Sequence, residues 1–171
     1  MKHLQHQLVS EIPALRRYAR SLLKDVVSAD DLVQDCLEKA WKNIDRYSLG
    51  TNIRAWLFTI MHNIFMNKIR KTKSMPEILD VDNFAEFNSD VASPSAPIEF
   101  KDLVTCMSNL PLYQREILSL IAVEGLSYKE VSNVLSIPIG TVMSRLHRAR
   151  EELRKMMLES EITDIQVSDN G

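Results

Sequence analysis

Apolar residues recur along this chain at the three- to four-residue spacing of helices, without the sustained alternation of half-buried strands. The first stretch, Leu4 to Leu23, sets Leu8, Ile12, Leu15 and Leu22 close to one face. Pro13 predicts a break or kink near its middle. A second helix is predicted to open at Ser28, its hydroxyl capping and Asp31 acting as acidic partner three residues on. Its apolar stripe reads Leu32, Val33, Cys36, Leu37, Ala40 and Trp41. A loop from Asp45 to Thr51 carries turn-compatible Ser48 and Gly50, and Asn52 then caps a third helix. Ile53, Trp56, Leu57, Ile60, Ile64 and Ile69 are expected to turn inward on it.

The period lapses between Lys73 and Pro97, where Pro76, Pro94 and Pro97 interrupt an acidic, serine-containing stretch, so this segment reads as a flexible linker. It resumes with Ile98, Phe100, Leu103, Val104, Met107 and Leu110. Pro111 suits a helix start, Ile117, Leu118, Leu120 and Ile121 follow, and Gly125 suits a left-handed cap.

The segment Gly125 to Arg154 then reads as two short helices about a tight turn. Ser127 and Glu130 form a capping box, Val131, Val134 and Leu135 face inward, and Pro138 fixes φ where the next helix begins. In that second helix Val142, Leu146, Ala149 and Leu153 fall on the core side. Thr141, Met143, Ser144, Arg145, His147, Arg148 and Glu151 are left outward. An arginine can bond a guanine edge bidentately, and a short hydroxyl suits phosphate or a base at close approach.

A formal net charge of −2 argues at first against a nucleic-acid partner, but its distribution reverses that inference. Residues 54–73 hold Arg54, Lys68, Arg70, Lys71 and Lys73 with no acid, or +5. Residues 140–158 set five bases against Glu151 and Glu152, or +3. Between them residues 76–102 hold seven acids and Lys101, or −6, and residues 159–171 hold four acids and no base. Two basic surfaces separated by an acidic stretch imply two contacts with a polyanion.

The two cysteines, Cys36 and Cys106, fall in separate apolar segments and are expected to pack as small hydrophobes. His3 and His6 lack a cysteine to complete a ligand set, so neither metal nor cofactor is expected. There is no nucleophile–base constellation, which argues against an enzyme. With no cleavable leader and no apolar run of the roughly 20 residues that span a bilayer, a cytoplasmic protein without membrane insertion of its own is expected.

From roughly Leu8 to Leu158 the chain resembles the extracytoplasmic-function sigma factors (group IV, sigma-70 family) of bacterial RNA polymerase. ADDLVQDCLEKAW (29–41) looks like their polymerase-clamp-binding helix. GTNIRAWLFTIMHNIFMNKIRK (50–71) looks like the promoter-melting helix with its preceding loop. LPLYQREILSLIAVEGLSYKEVSNVLSIPIGTVMSRLHRAREELR (110–154) looks like the domain that reads the upstream element.

The resemblance implies an all-α fold of two small helical domains: region 2 over 1–73 and a region 4 helix-turn-helix over 98–158, with a flexible acidic linker at 74–97 and an acidic tail at 159–171. It implies that Asp30, Asp31, Gln34 and Asp35 meet the clamp helices of core polymerase. It further implies that Tyr47 and Asn63 flank the pocket for a flipped minus-ten base, with Lys68, Arg70 and Lys71 following the backbone. Extracting a base costs a few kcal/mol, so stacking and edge hydrogen bonds must hold it outside the duplex. Trp56 is expected in the core, whereas His62 could be a phosphate contact or a plain surface residue. Minus-thirty-five contacts map to Met143, Ser144, Arg145, His147 and Arg148. Met143 departs from the family, where Lys or Arg is frequent, and cannot neutralise a phosphate. An anti-sigma factor is the implied second partner. Two rival readings stay open: a conventional dimeric helix-turn-helix regulator, although residues 1–73 show no βα alternation, and a decoy that only sequesters an anti-sigma factor.

Overall fold

The computed structural model describes residues 2–73 and 98–168, and side chains over 4–72 and 101–160. The expected linker, 74–97, lies outside the described residues, as do the side chains of His3, Lys73, Ile98 and Phe100. Every element among the described residues is helical: α1 (Lys2–Ser10), α2 (Ile12–Leu22), α3 (Val26–Lys42), a 3-10 turn (Ile44–Arg46), α4 (Ile53–Lys73), α5 (Ile98–Asn109), α6 (Leu112–Leu118), a π-turn (Ser119–Val123), α7 (Tyr128–Leu135) and α8 (Ile139–Ser168). None is long and apolar enough to cross a membrane.

Local chemistry accounts for most boundaries. The break expected from Pro13 falls at Glu11, and Pro13 sits in the first turn of α2, where its missing N–H costs no bond. The cap of α3 is not Ser28. Asp25 occupies that place, its Oδ2 accepting from the Ser28 amide at 2.8 Å and from the Ser28 hydroxyl at 2.7 Å. A carboxylate outcompetes a hydroxyl as acceptor, and these bonds hold Asp25 below the usual carboxylate range. Asn52 caps α4 as expected, accepting from the amides of Arg54 and Ala55. α8 does not stop at Leu158 but continues to Ser168, so much of the expected tail is helical.

Two inward assignments change. Trp41 is 52% exposed, because α3 nears its end there and Ala40 takes the buried position instead. On α4 the deepest residues are Leu57, Phe58, Met61 and Phe65, while Ile53, Trp56, Ile60, Ile64 and Ile69 are only partly buried. α4 is apolar around most of its circumference because α3 packs on one side and α7 on the other. Burying a side chain such as Phe58 or Met61 contributes about 1.5–3 kcal/mol.

The two helical halves expected from the sequence are not held apart. A single hydrophobic cluster runs from Leu8, Leu15 and Tyr18 through Phe58 and Met61 to Ile117, Leu120, Val131 and Val142. α2 packs on α6 and α4 packs on α7.

The π-turn shapes this junction. The Glu124 amide donates to Ser119 O five residues back, and Leu126 donates to Leu120 O across Gly125, which takes φ +71°. Glu116 and Glu124, eight residues apart, would stand about 80° apart around a regular α-helix axis. The wider turn removes most of that offset and turns both carboxylates toward α2.

Candidate nucleic-acid interface

The α7–α8 unit forms as its sequence requires. The Glu130 amide donates to Ser127 Oγ at 3.2 Å, and the Ser127 amide donates to Glu130 Oε2 at 2.8 Å. These bonds hold the Glu130 carboxyl below its usual range, its acceptance from the Ser127 amide contributing most. Ser136 closes α7 in the left-handed region at φ 53°. Val142, Leu146 and Ala149 are buried, and Leu153 packs at the margin of the core.

That packing leaves Met143, Ser144, His147 and Arg148 exposed along one outer stripe of α8, at i, i+1, i+4 and i+5. Ser144 Oγ donates to Thr141 O at 3.1 Å, and Met143 is 52% exposed. Arg145 leaves the stripe: it is half-buried, its guanidinium 5.7 Å from the centroid of the Tyr113 ring on α6.

Asn63 is exposed midway along α4, with Lys68, Arg70 and Lys71 also exposed beyond it. Tyr47 stands elsewhere. Its hydroxyl donates to Thr51 O at 2.5 Å, and its ring lies 5.2 Å from that of Trp56, tilted by 51°. Asn63 follows Trp56 by seven residues, two turns or about 10 Å on the same side of α4, so the structure does not set Tyr47 directly beside it. Trp56, expected in the core, is half-buried under this tyrosine.

The acidic surface of α3 also forms. Asp31 and Gln34 are exposed, while Asp30 and Asp35 are partly so, all opposite Ala29, Leu32, Val33 and Cys36. Asp35 Oδ2 accepts from Lys68 Nζ at 2.6 Å, which joins the acidic surface to the basic end of α4. Arg70 donates to Asn67 Oδ1 at 2.7 Å.

His62 is not a plain surface residue. Its Nδ1 lies 2.7 Å from Glu116 Oε1, with only 12% of its side chain exposed. The same Glu116 oxygen accepts from the Tyr18 hydroxyl at 2.7 Å. Burial first, then the Glu116 charge, pushes the Tyr18 phenol well above its usual range. Arg17 meets Glu124 bidentately, at 2.8 Å to Oε1 and 2.9 Å to Oε2, and this bond raises its pKa. Arg54 lies 3.7 Å from Glu124 Oε2 and donates to Glu11 Oε2 at 2.6 Å. Arg115, its pKa lowered chiefly by burial, donates to Ser21 O at 2.5 Å and Leu110 O at 2.8 Å. Asn52 adds an Nδ2 bond to Glu130 Oε1 at 2.7 Å, beside a cleft of about 440 Å³ lined by Trp56, Thr59, Lys129 and Asn133.

Sequence reasoning missed Arg17, Tyr18, Arg115, Glu116 and Glu124. Charges amid an amphipathic period read as solvated. The sole available signal is the run Gln114-Arg115-Glu116 directly before Ile117 and Leu118, which leaves α6 little purely polar face.

The Sigma2 domain of PhyR matches residues 8–62, and the Sigma-70 region 4 family matches residues 100–153. The chain is 36% identical over 155 residues to the ECF RNA polymerase sigma factor EcfG of Rhodopseudomonas palustris (strain TIE-1), covering 90% of this chain and 84% of that protein. It is 34% identical over 141 residues to the ECF RNA polymerase sigma factor SigM of Bacillus subtilis (strain 168), covering 82% and 86%. Among solved structures it is similar to the sigma factor RpoE in complex with the anti-sigma factor NepR from Bartonella quintana. There the TM-score is 0.79 and the identity 32%, over 92% of this chain and 98% of that one.

Proposed function

The chain belongs to the ECF RNA polymerase sigma factors, which are alternative sigma factors of transcription initiation, and from that premise we propose how its surfaces divide the work. Residues 98–158 read the upstream promoter element as duplex through Met143, Ser144, His147 and Arg148, with Arg145 at the flank. The observation that carries this is the exposed stripe on α8, aimed outward by a buried Val142–Leu146–Ala149 face. Residues 1–73 engage the minus-ten element. Asn63 offers a donor and an acceptor to an extruded base, Lys68, Arg70 and Lys71 follow phosphates, and Tyr47 with Trp56 provides an aromatic platform. The α3 surface of Asp30, Asp31, Gln34 and Asp35 docks on the clamp helices of core polymerase, and residues 74–97 join the two halves.

The protein is not itself an enzyme; it confers promoter choice on one, in the cytoplasm. The RpoE relative was crystallised with an anti-sigma factor, which supports an anti-sigma factor as second partner here. Met143 replaces a phosphate-binding cation with an apolar side chain, which favours a thymine methyl at that step of the groove.

The test is transcription from a template with core polymerase and this chain as the sole specificity factor. The expected result is initiation at a discrete promoter, dependent on the chain. Failure to bind core polymerase would remove the reading.

A further inference from the structure

The joint between the halves is built from charge as well as apolar contact. Glu116 and Glu124 of the C-terminal half are 6% and 5% exposed, and their hydrogen-bond and ion-pair partners come from α2 and α4. A buried ion pair gains little net free energy over apolar packing, because each charge forfeits its hydration. Separated, the same groups are well solvated. Such a joint suits reversible closure better than permanent union.

The geometry also resembles phosphate recognition. Arg17 grips Glu124 through two parallel N–H···O bonds, the arrangement by which guanidinium holds a phosphate, and Arg54 approaches the same carboxylate from α4. His62 presents Nδ1 to Glu116 one residue before Asn63. We propose that Arg17, Arg54 and His62 form a nucleic-acid phosphate site on the α2/α4 face, covered in this arrangement by Glu116 and Glu124 acting as phosphate stand-ins. Separation of the halves removes the carboxylates and extends the basic end of α4 across α2. This rests on the reading of the N-terminal half as a DNA-contacting unit.

The test uses the full chain, small-angle scattering for compactness, and anisotropy of a labelled single-stranded oligonucleotide across a salt series. Glu116→Gln with Glu124→Gln should enlarge the radius of gyration and tighten DNA binding about tenfold, its salt slope steepening by about 0.7 per added phosphate contact. Arg17→Gln with Arg54→Gln breaks the Glu124 contacts from the other side and leaves Tyr18 and His62 on Glu116. It should also expand the protein, yet leave DNA affinity without gain. The quadruple variant should lose the gain of the acid pair. Glu38→Gln with Asp45→Asn, an equal charge change at exposed acids, should do neither. A purely structural joint predicts the same DNA response from acid-side and base-side variants.

The proposal is overturned if the acid variant stays compact, if it opens without tighter binding, if the gain survives in the quadruple variant, or if the control matches it. Far-ultraviolet dichroism checks helicity; should the acid pair fail to fold, Glu124→Gln alone is held to the same outcomes. Asn63→Ala on duplex promoter opening scores the underlying reading separately. If it impairs opening while Arg17→Gln with Arg54→Gln is silent in the opened background, only the covered site falls. If both are silent, the DNA reading of the N-terminal half falls with it.

Discussion

Replacing Arg148 by alanine isolates the outward stripe of α8. Arg148 is exposed, and among the described residues it has no hydrogen-bond or ion-pair partner. If this stripe meets DNA as proposed, its guanidinium gives up no carboxylate to do so, and truncation should forfeit the whole contact. If it reads a base edge the loss is about 1–3 kcal/mol, or about 5- to 140-fold in affinity. Lys68 provides the contrast. Its ammonium sits 2.6 Å from Asp35, with both side chains about half-exposed. Such a pair is worth about 0.2–1 kcal/mol, so Lys68→Ala should lose that much less on DNA. The assay is holoenzyme binding to a promoter fragment by anisotropy, on the native upstream element and on a scrambled one, over a salt series. Base reading predicts a large loss on the native element and little on the scrambled one. Equal loss on both, with the salt slope falling by about 0.9, would make Arg148 a phosphate contact. A loss below about twofold on every sequence would refute the assignment of this stripe to DNA.

Asn63→Ala should slow opening of duplex promoters more than binding to a template melted beforehand; equal impairment in a permanganate footprint would remove the flipped-base role. Ser127→Ala should destabilise the chain by about 1 kcal/mol in urea unfolding by removing the α7 cap, and an unchanged midpoint would refute a stabilising capping box. Burial, with a smaller contribution from Asp35, pushes the Cys36 thiol up from 9.0 to about 12. Its folded pKa is raised, so its contribution is whole below pH 9 and is lost as pH climbs toward 12, at about 1.4 kcal/mol per unit. Cys36→Ala should flatten the alkaline slope of stability by one proton's worth; parallel slopes for the two proteins would contradict this.

What could be read in the sequence was what neighbours along the chain decide. Ser127 and Glu130 make their box three residues apart, Pro13 and Asn52 act within one turn, and Val142, Leu146 and Ala149 follow a single helical face. Those signals locate the α8 stripe, whereas Asn63 is singled out by the resemblance alone, and the structure leaves it exposed. The rotation of α4 was not readable, because Phe58, Met61 and Phe65 alternate with Ile60 and Ile64 around an apolar cylinder, and tertiary contact decides between them. Nor was the α3 cap, since Asp25, Ser28 and Asp31 all offer acceptors and the winner depends on where the preceding turn enters. The contact of Arg17 with Glu124 spans 107 positions, beyond the reach of any period. Tyr47 was drawn toward Asn63 by resemblance alone, while the backbone sends it to Trp56.

The π-turn at Ser119–Val123 gives the protein one place where a residue is spare. Losing one codon within that turn would let it relax to ordinary α-helix, and the two carboxylates, then seven positions apart, would still stand within about 20° of alignment. Everything beyond would keep its direction. The same loss inside α8, which carries no surplus, would swing all that follows by about 100° about the helix axis and shift it by about 1.5 Å. One codon is thus nearly silent in the wide turn and ruinous in the helix that follows Ile139.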